Sequence, residues 1–128
     1  LKANTSAFIH FHCCGSISSL LDDLIDAGID AINPVQVSAA DMDSATLASR
    51  FGDRVTFWGA IDSQHVLPNG TPDEVRAEVK KRIGDLAPGG GYVCSAVHNI
   101  QPDVPLENIL AMYEAADDFG HYPIVSER

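Results

Sequence analysis

The sequence predicts an α/β fold built from four consecutive strand–helix units with parallel strands. Two observations carry this. Short apolar runs of strand length alternate with longer segments whose apolar residues recur at helical spacing. Strands separated by helices cannot be hairpins, so the sheet is expected to be parallel, with right-handed crossovers.

Residues 7–14 (AFIHFHCC) are apolar and aromatic enough for a first strand, ending at Gly15. From Ser16 to Ala27, Ile17, Leu20, Leu21, Leu24 and Ile25 fall at helical spacing, and Gly28 suits the C′ position, where positive φ costs least. A second strand, Ile29 to Asn33, is expected to stop at Pro34, with a loop over Val35 to Asp41. Asp43 then caps a helix running to Phe51, closed by Gly52.

A third strand follows from Arg54 to Ile61. The clearest helix start is Thr71-Pro72-Asp73-Glu74, a Thr N-cap with Pro at N1 and Glu at N3, forming a capping box. That helix reaches about Leu86, with Val75, Val79, Ile83 and Leu86 inward and Arg76, Lys80, Lys81 and Arg82 outward. Gly89-Gly90-Gly91 feeds a fourth strand, Tyr92 to Val97, and Pro105 opens a last helix to about Asp118, ended by Gly120. A small open doubly wound sheet and part of a (β/α)₈ barrel both fit this order. No G-x-G-x-x-G turn follows the first strand, which weakens a dinucleotide-binding version.

The chain has 128 residues, read as one domain over 1–128, and its 8 Lys+Arg against 18 Asp+Glu give a formal charge of -10. An acidic surface repels phosphate backbones and anionic lipid, so nucleic acid and membrane are poor partners. No apolar run approaches the roughly 20 residues of a spanning helix, and no leader pattern is present, so the expected location is cytoplasmic. The start at Leu1, without Met, reads as a fragment or a processed chain. Three cysteines, two of them adjacent, argue against a disulfide framework.

Alternate side chains of a strand share a face. His10, His12 and Cys14 therefore point one way and Ile9, Phe11 and Cys13 the other. Two imidazoles and a thiol on one face suit zinc, and His98, just past the fourth strand, would add a ligand from across the sheet. Cys94 lies deeper, and its parity with His98 places both on one face. The plainer reading makes these core or hydrogen-bonded residues, with Cys13 packed against a helix. It leaves His65 a loop histidine, His121 solvated, and Asp22, Asp23 and Asp26 the wet face of the first helix.

Several strand-end motifs resemble the C-terminal half of the uroporphyrinogen decarboxylase superfamily. They are His12-Cys13-Cys14-Gly15, similar to its methyltransferase-side H-x-C-G, Asn33-Pro34-Val35-Gln36, and Gly59-Ala60-Ile61-Asp62, similar to its G-N-x-D. Further on come Leu67, Gly70-Thr71-Pro72-Asp73-Glu74-Val75, Gly89-Gly90-Gly91-Tyr92, and the stretch from His98-Asn99-Ile100-Gln101-Pro102 to Glu107-Asn108. The resemblance runs nearly the whole chain and implies half of a TIM (β/α)₈ barrel.

It also implies two activities. On the methyltransferase side, His12 and Cys14 would bind zinc and the later ligand position holds His98 in place of the family's Cys. A thiol would then take a methyl group from a corrinoid carried by a partner protein. On the decarboxylase side no cofactor is used, and His98 would help bind the carboxylates of a tetrapyrrole. Asp62 and His98 are the expected catalytic groups, with Gln36, Asn33 and Asn99 binding substrate. A half-barrel leaves its sheet edges bare, so closure by a homodimer is expected, and a non-catalytic half-barrel that dimerises is the third reading.

Overall fold

A computed structural model describes residues 2–124; the expected domain of 1–128 thus includes five residues outside the described ones. A 3₁₀ turn at Lys2–Asn4 precedes β1 (His10–His12), and a second at Ser18–Leu20 leads into α1 (Leu21–Asp26). Then follow β2 (Ala31–Val35), α2 (Ser44–Phe51), β3 (Thr56–Ile61), α3 (Val66–Asn69), α4 (Pro72–Leu86), β4 (Tyr92–Ala96) and α5 (Leu106–Phe119). Among the described residues the strands form one parallel sheet in the order β1-β2-β3-β4. This is the expected α/β half-barrel arrangement, with helices linking each strand to the next and α5 following β4.

Local chemistry explains the elements. Asp43 accepts from the Thr46 amide at 2.9 Å, capping α2. At α4, Thr71 and Glu74 each accept from the other's backbone, so the capping box forms as the sequence predicts. Gly28, one residue beyond the α1 C-cap, has φ of 102°.

Several boundaries differ from expectation. The first strand is paired only over His10–His12, with one more ladder bond from the Cys13 amide to Asn33 O, because Gly15 turns the chain at φ of 95°. The first helix begins as a 3₁₀ turn without a side-chain cap, so α1 proper is short. The second strand does not stop at Pro34; it runs to Val35, where an irregular register against β3 accommodates a residue that lacks a ladder donor. Helix α3 was not expected. It forms where Asp62, at the end of β3, gathers the amides of Gln64 and His65.

Most of the core lies between sheet and helices. Ile32, Val35 and Phe57 pack with Leu21, Leu47 and Phe51. Ile61 packs with Val75, Val79, Ile83, Ala111 and Ala115 of α4 and α5. Each fully buried aliphatic side chain stabilises by about 1.5–3 kcal/mol relative to exposure. The sheet's other face carries His10, His12, Asn33 and Trp58; the His10 and Trp58 rings stand 4.9 Å apart, tilted by 53°. Helix α5 also exposes Leu106, Leu110 and Tyr113 at helical spacing. No helix of the described residues is long and apolar enough to cross a membrane.

Candidate functional site

In a parallel sheet the loops at the C-terminal strand ends converge, and side chains there meet across neighbouring strands. His12 ends β1 and is the register partner of Asn33 on β2. The pairing brings His12 Nδ1 to 2.5 Å from Asn33 Oδ1. That oxygen only accepts, so Nδ1 carries a ring proton, and in the neutral ring Nε2 is the nitrogen with the lone pair. Nε2 lies 3.7 Å from Cys14 Sγ. The strand alternation thus places His12 and Cys14 together, as the sequence predicts, while Ile9, Phe11 and Cys13 pack against the helix-side core.

His98 lies two residues beyond β4, exposed, and borders a cleft of about 380 Å³ together with His12, Asn33, Trp58, Ser95 and Asn99. Cys14, Gln36 and Asp62 stand outside that lining. A larger recess of about 760 Å³ sits on the helix side beside Arg82, which is already paired with Glu78 at 3.1 Å.

Cys94 departs from expectation. It does not share a face with His98. Cys94 packs with the helix-side core, whereas His98, beyond the last paired residue, is freed from strand alternation and turns into the cleft. Burial pushes the Cys94 thiol above its ordinary value, which disfavours the thiolate that metals require.

Gln36 and Asp62 hold the loops. Gln36 Oε1 accepts from the Gly15 amide at 2.8 Å, and its Nε2 donates to Gln64 Oε1 at 3.3 Å. Asp62 is buried, and its Oδ1 accepts from the Gln64 and His65 amides at 2.7 and 3.1 Å. Its Oδ2 meets His65 Nδ1 at 3.0 Å, so His65 is tied to the loop through Asp62. Burial pushes the Asp62 carboxyl up, but the Gln64 amide and the His65 ring and amide outweigh it and hold it below the usual carboxylate range. Both oxygens are therefore committed to shaping the β3–α3 turn.

The nitrogen and sulfur donors of His12 and Cys14 suit zinc. Among the described residues, however, no group of three or more His, Cys, Asp or Glu side chains is gathered closely enough to hold a metal ion. His98 shares a cleft with His12 without completing a ligand trio. Trp58 and Gln64 were not singled out from the sequence. Strand alternation in β3 would have placed Trp58 on the inner face, but no sequence signal marks Gln64.

The family model described as uroporphyrinogen decarboxylase (URO-D) matches residues 1–119. The chain is similar to a methylcobamide:CoM methyltransferase (MtaA) of Methanosarcina barkeri, 32% identical over 92% of this chain and 33% of that protein. It is also similar to a uroporphyrinogen decarboxylase of Methylococcus capsulatus, 32% identical over 78% of this chain and 27% of that protein. Among solved structures, a methyltransferase from Methanosarcina mazei superposes with a TM-score of 0.75 over 93% of this chain and 33% of that one, at 24% identity, which bears on the fold. The chain spans about a third of the length of the curated relatives it matches.

Proposed function

The chain belongs to the uroporphyrinogen decarboxylase family, and within it we propose a methyltransferase-like half-barrel that handles a small-molecule thiol at His12 and Cys14. The observation that carries this reading is His12 Nε2 facing Cys14 Sγ at 3.7 Å while Asn33 engages the opposite ring nitrogen. Asn33 sets the imidazole tautomer, and Trp58 and Tyr113 wall the neighbouring cleft. Zinc held by His12 and Cys14, with His98 as the remaining candidate ligand, would supply the charge that keeps a thiol ionised near neutral pH. In the proposed reaction the substrate sulfur attacks a methyl group on a corrinoid carried by a partner protein. The new S–C bond forms as the carbon–cobalt bond breaks, and its electron pair stays with the corrinoid.

A second reading, a tetrapyrrole decarboxylase-type fragment without a cofactor, draws on His98 and Asn99, exposed in the same cleft, where an imidazole would meet a substrate carboxylate. In either reading, the edges of β1 and β4, unpaired among the described residues, and the exposed Leu106, Leu110 and Tyr113 support closure by a second copy of the chain. A non-catalytic half-barrel would need that closure equally. A cytoplasmic location goes with the proposal.

The test is zinc per protomer, by elemental analysis of protein purified without added metal, in wild type and Cys14→Ser, together with native mass. About one zinc per chain, lost in the variant, supports the thiol site. No zinc in either protein defeats it, and tetrapyrrole binding then decides between the decarboxylase-type and non-catalytic readings. A monomeric native mass would sink the closure by a second copy.

A further inference from the structure

We propose that Gln64 is a positioning residue for the turn that carries Cys14, acting through Gln36. The inference rests on the proposed role of Cys14 as the residue of a thiol site, and it adds a residue to that site. Gly15, directly after Cys14, turns the chain at φ of 95°, and a Cβ placed there would meet nothing within 4 Å. No neighbour therefore crowds that side of Gly15. A polar bond ties the turn to the loop after β2: the Gly15 amide donates to Gln36 Oε1 at 2.8 Å.

Gln36 is itself a flexible side chain that loses rotamer freedom when held. Its second anchor is Gln64 Oε1, which accepts from Gln36 Nε2 at 3.3 Å and from Ser38 Oγ at 3.0 Å. Gln64 is fixed in turn through its backbone, because its amide donates to buried Asp62 at 2.7 Å. The bonds run from the end of β3, across the loop after β2, to the turn after β1. Three neighbouring strand ends are thereby coupled, and the coupling terminates beside the thiol.

Gln64 takes part through Oε1 as an acceptor, which gives a sharp test. Gln64→Glu keeps acceptor oxygens for Gln36 and Ser38, whereas Gln64→Ala removes them. In metal-free protein, exchange of the Gly15 amide is followed by NMR and alkylation of Cys14 by mass spectrometry that resolves it from Cys13. Gln64→Ala is expected to raise both rates by about two- to tenfold, the range of one modest hydrogen bond, and to leave Cys13 unchanged. Gln64→Glu is expected to match wild type. Wild-type rates in Gln64→Ala, or equal effects of the two variants, would overturn the proposal. The failure of the underlying reading is separate: a wild type that binds no zinc defeats the thiol site even where the Gln64→Ala effect is present.

Discussion

His12 and Asn33 are register partners on adjacent strands, and their side chains meet at 2.5 Å between Nδ1 and Oδ1. The bond fixes which ring nitrogen carries the proton, and the free nitrogen is the one that faces Cys14. Asn33 therefore orients the imidazole in the way that outer ligands orient metal-binding histidines generally. At the proposed zinc site, Asn33→Ala should weaken binding by about 10–100-fold, measured by competition with a chromogenic chelator. In metal-free protein the His12 ring nitrogens should lose their single-tautomer NMR pattern. An unchanged pattern would remove Asn33 from this role.

Asp62 links acid stability to the β3–α3 turn. Its carboxyl is held below the usual range, so its contribution is fully present above the unfolded value of about 3.9 and is lost as pH falls through the lower folded value. Asp62→Asn should cost about 1 kcal/mol near neutrality. Its stability should also fall less steeply than that of wild type below about pH 4. Denaturant melts across that range check both statements.

The capping box of α4 should be worth a measurable amount. Thr71→Ala removes the acceptor of the Glu74 amide, and a loss of about 1 kcal/mol is expected by chemical denaturation. A loss below a few tenths would mean that the helix is held by its buried face alone.

Asn108 fastens α5 to the elements around it. It is buried, and its Nδ2 donates to Leu67 O at 2.9 Å and Gly70 O at 2.7 Å. Asn108→Ala would strand both carbonyls and should cost about 2–3 kcal/mol. Its own Oδ1 has no partner among the described residues, so Asn108→Asp, which adds charge beside two carbonyls, should be worse still. Thermal melts of the two variants test the order.

Ala60 is buried at φ of 74°, a conformation that costs an L-residue about 1–2 kcal/mol. Ala60→Gly should relieve that cost and, after the entropy lost by glycine on folding, raise stability by up to about 1 kcal/mol. A lowered melting temperature would show that the methyl group's packing outweighs the strain.

The sequence by itself determined the order of the four strand–helix units, the parallel sheet and the facing of β1. Those features follow from short-range periodicity and capping, as at Thr71 and Gly28, and from the alternation that turns His12 away from Cys13. The strand-end motifs likewise carry the family resemblance without any knowledge of contacts. What only the tertiary structure decided was which strand-end groups meet. Cys94 and His98 shared parity on paper, but alternation ends with the last paired residue, so His98 entered the cleft and Cys94 stayed against the helices. Gln36 and Asp62 are expected at the site from the sequence, and only the tertiary structure shows that both are also tied into the loops beside it. Helix α3 arose from amides gathered by Asp62 rather than from periodicity. Residues 28 positions apart, such as Gln36 and Gln64, become neighbours because β2 and β3 are adjacent in the sheet, and no local pattern encodes that distance.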